Sequence, residues 1–163
     1  MTAVRLVEIT AGNRDAVRAL RVRPGQERFV ASVAKSLEDA ATTPEGEPWY
    51  RAVYAGEEPV GFVMLSWAVP PGRPGVLGPY FLWRLLVDGR HQGRGVGRAV
   101  LDEVVALVRA DGGTELLASH QPGDDGPGAF YLKYGFRPTG EVDHGETVLR
   151  LALRPHPASR SAT

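Results

Sequence analysis

Residues 88–99 constrain the fold of this chain more than any other segment. They read Asp-Gly-Arg-His-Gln-Gly-Arg-Gly-Val-Gly-Arg-Ala and lie between an apolar run at residues 80–87 and apolar residues at helical spacing from Val96 to Val108. The run predicts a strand and the spacing an amphipathic helix. Because Gly93, Gly95 and Gly97 alternate with other residues, the backbone N–H groups are unshielded at the helix N-terminus. A phosphate or pyrophosphate is the natural ligand of such a turn.

The spacing of these glycines excludes two common phosphate-binding loops. A Walker loop requires Gly-x4-Gly-Lys-Ser/Thr, and the turn has neither the lysine nor the hydroxyl. A dinucleotide-binding turn requires Gly-x-Gly-x-x-Gly, but Arg98 stands where the third glycine belongs. The pattern present is Gln92-x-x-Gly95-x-Gly97. On its own it leaves open an anion site or a turn that only packs a helix on a sheet.

The other apolar patterns predict one domain of the α/β class. Apolar runs predict strands at residues 3–9, 49–55, 59–67, 80–87, 114–119, 136–142 and 146–153. Helical spacing predicts a helix after Asn13, one after Pro24 with Phe29 and Val30 on its apolar face, the long helix, and a short one at 129–134. The order β-α-α-β-β-β-α-β-α-β-β predicts a mixed, mostly antiparallel sheet with one parallel β-α-β unit, flanked by helices. We assign residues 1–154 to this domain and 155–163 to a flexible tail.

Composition excludes several functional classes. The chain of 163 residues has no cysteine, which excludes disulfides, cysteine–zinc sites and mechanisms that acylate a thiol. Its 19 Lys+Arg balance 19 Asp+Glu, and zero net charge argues against a nucleic-acid surface. The four histidines do not pair at metal-ligand spacing, so we expect no metal. No apolar run reaches the roughly 18–20 residues of a membrane span, so we expect a cytoplasmic protein.

The glycine turn and a second segment together resemble one known family. Gln-x-x-Gly-x-Gly at residues 92–97, after a strand and opening an amphipathic helix, is similar to the acyl-coenzyme A pyrophosphate loop of the GNAT N-acetyltransferases. Downstream, Ala-Phe-Tyr-Leu-Lys-Tyr-Gly-Phe at residues 129–136 resembles this family's closing motif, a short helix bearing a tyrosine and ending in Gly-Phe. The motifs stand in the family's order, and the resemblance covers residues 3–153. It implies a GNAT-like fold.

The resemblance also implies a mechanism and a set of cofactor contacts. In this family the acceptor amine attacks the thioester of acetyl-coenzyme A directly within a ternary complex, which agrees with the absence of cysteine. By motif position Tyr131 is the general acid for the leaving thiolate. The fourth strand is expected to pair with the pantetheine amides, and the backbone of the turn to hold the pyrophosphate. The expected cofactor-binding residues are Leu85, Leu86, Val87, Gln92, Gly93, Arg94, Gly95, Val96, Gly97, Arg98, His120 and Lys133.

The general base does not follow from the resemblance. Making an alkyl amine with a pKa near 10 nucleophilic at pH 7 costs roughly 4 kcal/mol, and many relatives use a glutamate on or near the fourth strand. Residues 80–87 contain no carboxylate, so a relay through water from Glu27, Glu146 or His120 stays open. Many relatives also carry an asparagine after the fifth strand. It is absent here, and His120 or Ser119 is expected to make its contact with the pantetheine.

Several stretches resemble the spermine/spermidine type of bacterial small-amine acetyltransferases: residues 22–31 with 36–37, then 59–64, 80–84, 140–142 and 145–146. A polyamine site requires carboxylates and aromatic faces, because both attract an ammonium group. The expected substrate-binding residues are Glu27, Tyr80, Trp83 and Glu146, in a pocket formed by the two N-terminal helices, the loop 70–79 and the closing hairpin. The family resemblance implies a homodimer. An aminoglycoside or protein N-terminus as acceptor stays open, as does a non-catalytic acyl-coenzyme A-binding module.

Overall fold

Seven strands form one sheet in the computed structural model, which describes residues 3–123 and 126–154. The strands are β1 (Arg5–Val7), β2 (Pro48–Ala55), β3 (Glu58–Ser66), β4 (Phe81–Val87), β5 (Glu115–His120), β6 (Arg137–Asp143) and β7 (Glu146–Ala152). The α-helices are α1 (Arg14–Arg18), α2 (Val33–Thr42), α3 (Val96–Ala110) and α4 (Gly128–Tyr134). The predicted tail, residues 155–163, lies outside the described residues, so the domain boundary at 154 stays a prediction.

The sheet has the order β1-β2-β3-β4-β5-β7-β6. Among the described strands only β4 and β5 pair in parallel, and α3 connects them, which gives the predicted β-α-β unit. All other neighbouring strands are antiparallel. The predicted fold class and the order of its elements are therefore confirmed.

Two hydrophobic cores cover the two faces of the sheet. On one face α3 and α4 pack over a core that includes the fully buried Leu101. On the other face α1 and α2 pack over a core that includes Val17. Because successive side chains of a strand alternate between faces, β3 serves both cores, with Val63 in the first and Phe62 in the second. Strand β3 is therefore buried on both of its faces from Val60 to Ser66.

The sheet opens between β4 and β5 after a short parallel pairing. The pairs are Phe81 with Leu117 and Leu82 with Ala118, and the described residues form no further pair between these strands. Both strands continue past this point, β4 to its end at Val87 and β5 to its end after two more residues. The opening therefore lies at the carboxyl ends of two parallel strands, where the ligand sites of α/β sheets are found.

A β-bulge in β4 coincides with the point where the two strands separate. The pairing with β3 leaves Trp83 as an extra residue without an opposite partner. Trp83 and Arg84 consequently both face α2: Trp83 packs against the core there, and the Arg84 guanidinium pairs with the Asp39 carboxylate at 2.8 Å. After the bulge Leu85 returns to the α3 side of the sheet.

The second helix begins later than the sequence pattern predicts. We expected it after Pro24, but α2 begins at Val33, so Phe29 lies outside it. Ser32 is the N-cap, and its hydroxyl accepts a hydrogen bond from the backbone N–H three residues on, at 3.1 Å. Upstream, Gly25 has a φ of +90°, a conformation that a right-handed helix excludes. The intervening loop becomes part of the site described below.

Replacing Leu101 by alanine should lower the free energy of unfolding by about 2–5 kcal/mol, because the side chain is fully buried in the α3 core. Urea denaturation followed by circular dichroism measures this loss. Leu107 lies on the same helix but is 40% exposed, so Leu107→Ala should stay within about 0.5 kcal/mol of the wild type. Equal losses in the two variants would contradict the described packing of α3.

Candidate active site

A cleft of about 1070 Å³ lies along the opening between β4 and β5 and over the N-terminus of α3. The edge of β4 and the glycine turn form one wall, and α4 with the start of β7 forms another. Residues 22–31 also contribute to the lining. The predicted site residues that line the cleft are Glu27, Trp83, Leu85, Val87, Gln92, Gly93, Gly95, Val96, Gly97, Arg98, Tyr131, Lys133 and Glu146. The structure therefore brings most of the predicted site together.

The free edge of β4 presents alternate backbone groups to the cleft. The Asp88 N–H donates to the Val60 carbonyl of β3 at 2.9 Å. Because backbone groups alternate along a strand, those of Leu86 also face β3, whereas those of Leu85 and Val87 face the opening. The prediction for Leu86 is corrected: its side chain is buried in the core beneath α1 and α2, and its backbone faces away from the cleft.

The glycine turn leaves backbone N–H groups unshielded at the start of α3. Gly93 and Gly95 have φ angles of +77° and +82°, which side chains disfavour. Gly95 is the N-cap of α3, and no side chain caps that end of the helix. Gly97 is required for a different reason, since a Cβ there would lie 3.1 Å from the ring of Phe130 on α4. The orphan N–H groups and the helix dipole make this end of α3 suitable for an anion.

A buried carboxylate fixes the start of this turn. Asp88 is 3% exposed, and its carboxylate accepts hydrogen bonds from the Arg21 N–H at 3.0 Å and from the N–H and Nε of Arg90 at 3.1 and 2.9 Å. Burial raises the pKa of Asp88, but these donors and the Arg90 charge outweigh it and leave the pKa below its ordinary value. Farther along the turn, the Gln92 side-chain amide donates to the Val87 carbonyl at the end of β4 at 3.0 Å and to the Gln26 side-chain carbonyl at 2.8 Å.

Tyr131 contributes a protonated hydroxyl to the cleft. It lies on α4, is 7% exposed, and packs against Phe130 and Phe136 with ring centroids 5.3 and 5.4 Å away. Burial raises the pKa of this phenol, and the negative charge of Glu146 raises it further. Tyr131 therefore holds its proton at neutral pH and can donate it to a developing anion.

Glu146, the first residue of β7, reaches the same region. Its Oε1 accepts a hydrogen bond from the Ser119 hydroxyl at 2.7 Å, and both residues line the cleft. Ser119 follows Ala118, the last residue of β5 that pairs with β4. A carboxylate, a hydroxyl and the phenol of Tyr131 thus converge where the sheet opens.

Three further predicted residues lie outside the cleft lining. Tyr80 is buried in the α3 core, and its hydroxyl donates to Asp111 beyond the end of α3; burial and this bond raise the pKa of Tyr80 to about 12. Its predicted substrate contact is therefore corrected. The ring of His120 packs against Gly128 at the start of α4, which removes it from the cleft wall. Arg94 is exposed on the outside of the turn.

The cleft also contains residues that the sequence patterns did not identify. Among them are Asp143 and His144; Arg28, Phe29 and Arg84 also line the cleft, within the stretches 22–31 and 80–84, whose resemblance assigned them no individual role. Asp143 and His144 form the tip of the hairpin between β6 and β7, where the His144 ring donates a hydrogen bond to the Asp143 carboxylate; this bond, followed by the charge of Asp143, raises the pKa of His144. The residues Asp-His-Gly between two predicted strands are typical of a hairpin turn, and this pattern could have predicted the tip. Arg84 reaches its position through the bulge, which no sequence pattern indicates.

The surroundings of the cleft differ from expectation in two respects: neither the loop 70–79 nor the helices α1 and α2 line it, and the loop after α1 lines it instead. Within residues 3–123 and 126–154, no group of three or more His, Asp or Glu side chains is arranged to hold a metal ion. Over that same part of the chain, no helix has both the length and the apolar character to cross a membrane.

Comparisons with known proteins agree with this geometry. The profile of the acetyltransferase (GNAT) family matches residues 13–136. The chain is 26% identical over 149 residues to a spermine/spermidine N(1)-acetyltransferase of Bacillus subtilis, covering 90% of this chain and 97% of that protein. An acetyltransferase structure from Thermus thermophilus superposes with a TM-score of 0.70 at 23% identity, over 94% of this chain and 100% of that one. An aminoglycoside 6'-N-acetyltransferase complexed with coenzyme A gives 0.64 at 16% identity, over 94% and 99%.

Replacing Asp88 by asparagine should destabilise the protein by about 1–3 kcal/mol at pH 7, because three buried or partly buried donors lose a charged acceptor. The pKa of Asp88 is lowered in the folded state. The charged carboxylate therefore contributes fully to the free energy of unfolding above the unfolded carboxyl pKa of about 3.9, and this contribution is lost as the pH falls through the lower folded pKa.

Urea denaturation at pH 7, pH 4 and pH 3 tests this expectation. The difference between wild type and Asp88→Asn should narrow as the pH falls below about 4. A difference that stays constant over this range would contradict the role of the charge.

Proposed function

The chain belongs to the GNAT family and is an acetyl-coenzyme A-dependent N-acetyltransferase; we propose that it transfers the acetyl group directly to a primary amine of a small molecule, with a polyamine-like acceptor favoured. The observation that carries this proposal is the opening of the sheet between β4 and β5 in front of the N-terminus of α3. Acetyl-coenzyme A carries an extended pantetheine arm followed by a pyrophosphate, so its site requires a free strand edge and an anion-binding helix N-terminus next to each other.

Along its length, the cleft offers a binding partner for each successive part of acetyl-coenzyme A. The backbone groups of Leu85 and the N–H of Val87 on the free edge of β4 would pair with the pantetheine amides, since the Val87 carbonyl already accepts a hydrogen bond from Gln92. The backbone N–H groups of residues 93–98 would bind the pyrophosphate, because no side chain caps this end of α3 and the first N–H groups of a helix have no partner within it. Arg98 and Lys133 line the same cleft and add positive charge. A dianionic group is therefore held by local dipoles and two cations in a chain of zero net charge.

Tyr131 would protonate the thiolate of coenzyme A as it leaves. Burial and the nearby Glu146 charge raise the pKa of the phenol, so the proton is present when the C–S bond breaks. The absence of cysteine is consistent with direct transfer, since an acyl-enzyme on a thiol is excluded. The acceptor nitrogen would attack the thioester carbonyl while both substrates are bound.

Carboxylates and an aromatic face support a polycationic acceptor. Glu27, Asp143 and Glu146 line the cleft together with Trp83, and all four attract ammonium groups. The similarity to a protein named spermine/spermidine N(1)-acetyltransferase points to the same class. Aminoglycosides are the second class to test, because a protein of similar fold bears that name and these acceptors are polyamines as well.

We also propose a homodimer and a cytoplasmic location. Strand β6 is an edge of the sheet, and its Val142 is 70% exposed, which supports an additional contact with a second copy. A chain without cysteine gains no stability from an oxidising compartment. Size-exclusion chromatography with light scattering measures the oligomeric state.

The release of free coenzyme A thiol over a panel of amines tests the proposed function. We expect turnover with acetyl-coenzyme A and the highest kcat/KM for spermine or spermidine, with aminoglycosides next and single amino acids or peptide N-termini lowest. Preference for an aminoglycoside would replace the polyamine assignment. Binding of acetyl-coenzyme A in calorimetry without thiol release from any amine would instead indicate a non-catalytic binding module.

Replacing Tyr131 by phenylalanine should lower kcat by about 10²-fold, because the leaving thiolate loses its proton donor. The matched control is Tyr134→Phe on the same helix, whose hydroxyl donates to Asp102 of α3 at 2.7 Å; it should keep kcat within about twofold. Steady-state thiol release measures both variants. A Tyr131→Phe enzyme within twofold of the wild type would remove the assignment of the acid.

A further inference from the structure

We propose that Glu146 is the general base of the transfer, held by the Ser119 hydroxyl beside Tyr131 where β4 and β5 separate. This inference rests on the proposed function, because it assigns the group that takes the proton of the acceptor ammonium. It places the base on β7, on the far side of the opening from β4.

The described carboxylates that line the cleft are Glu27, Asp143 and Glu146. Glu27 is engaged within its own loop, where its Oε2 accepts the Gly25 N–H at 2.8 Å. Asp143 pairs with His144 at 3.1 Å at the exposed tip of the hairpin. Glu146 alone of these three is bonded to a residue of β5 at the opening. The strand β4 itself offers Arg84 and no carboxylate.

The hydrogen bond from Ser119 fixes one oxygen of Glu146 and leaves the other for the acceptor. Oε1 accepts the Ser119 hydroxyl at 2.7 Å. Within the part of the chain that the structure describes, Oε2 has no hydrogen-bond partner. The carboxylate also lies close enough to Tyr131 for its charge to raise the pKa of that phenol. Base and acid therefore flank the same region of the cleft, as a reaction with two proton transfers requires.

The protons and bonds of the reaction balance with these two groups. Glu146 takes one proton from the acceptor ammonium, and the free amine forms the new C–N bond at the thioester carbonyl. As the C–S bond breaks, Tyr131 gives its proton to the thiolate. The phenolate then takes the second proton from the nitrogen of the forming amide. Glu146 releases its proton to water, so the net products are the acetylated amine, coenzyme A thiol and one proton.

The titratable and polar groups facing Glu146 come from three elements. Tyr131 belongs to α4, Ser119 to β5, and Asp143 and His144 to the hairpin tip. His144 is fully exposed, and the charges of Asp143 and Glu146 both favour its protonated form. The titration of His144 therefore adds a second contribution to the pH dependence of the rate, and a His144→Gln variant removes that contribution.

The test compares Glu146→Gln with the wild type over acceptors of different basicity. Primary amines of one skeleton are used, fluorinated next to the nitrogen so that the amine pKa falls from about 10 towards 7. With the basic amine at pH 7 and at saturating concentration we expect kcat of Glu146→Gln to be reduced by about 10²–10⁴-fold, whereas loss of a residue that only binds the ammonium group would raise KM and leave kcat largely unchanged. With the least basic amine, which is largely unprotonated, the reduction should shrink to about tenfold or less.

A purely structural role of Glu146 predicts a different pattern. The reduction would then be the same for all amines, and that outcome overturns the proposal. Raising the pH towards 9 with the basic amine, in the His144→Gln background, should narrow the difference in the same way as fluorination does. The control is Glu141→Gln on the exposed strand β6, which should show no dependence on amine basicity.

Coenzyme A binding and three further variants, Glu146→Asp, Ser119→Ala and Ser119→Thr, test the proposal independently. Calorimetry of coenzyme A with Glu146→Gln should give wild-type affinity, and Glu146→Asp should recover part of the rate because it keeps the carboxylate. Ser119→Ala should lower kcat more than it raises KM, with rescue by Ser119→Thr. No thiol release by the wild type would refute the proposed function and the base with it. Turnover by the wild type with an unaffected Glu146→Gln variant would refute the base alone.

Discussion

The separation of β4 from β5 after two parallel pairs is the constraint on which the rest of the molecule depends. A continuous ladder here would consume the backbone groups of Leu85 and Val87 and close the cleft. The bulge at Trp83 lies directly after the last β4–β5 pair, and it changes which face of the sheet each following side chain of β4 occupies. Helix α3 starts directly beyond the opening, so a strand edge and a helix N-terminus, two sources of unpaired backbone groups, lie end to end.

The polar groups that stabilise this arrangement are few and specific. Asp88 fixes the start of the glycine turn to the segment after α1, and Gln92 joins the end of β4 to the loop 22–31. On the opposite wall, Ser119 and Glu146 join β5 to β7. The bonds of Asp88 and Gln92 join elements that no strand ladder connects, whereas the Ser119–Glu146 bond adds to the antiparallel ladder of β5 and β7. The cores set the layers, and these bonds set the shape of the opening.

Much of this could be predicted from the sequence because local signals agree with the final structure. The glycine turn, the order of the strands and the position of Tyr131 follow from apolar periodicity and from motifs whose spacing is read along the chain. The start of α2 was mispredicted because Phe29 continues an apolar helical pattern, whereas the cap at Ser32 and the positive φ of Gly25 decide the boundary.

The errors at the site have a common physical origin in long-range geometry. Tyr80 precedes β4 and is aromatic, but the fold turns it into the α3 core, where Asp111 satisfies its hydroxyl. Leu86 differs from Leu85 and Val87 only by the alternation of the strand. The positions of Arg84 and of the Ser119–Glu146 pair depend on a bulge and on contacts between strands distant in sequence.

The contact between Gly97 and Phe130 divides the protein into parts that can vary separately. It packs the first turn of α3 directly against α4, and the Tyr134 hydroxyl joins the same two helices by its bond to Asp102. The loop 22–31 and the hairpin tip, which line the rest of the cleft, make no such contact with Gly97. Substitutions in those two segments at positions other than Gln26, which is bonded to Gln92, can reshape the acceptor pocket while α3 and α4 stay in contact, which makes the fold well suited to acquiring new amine substrates.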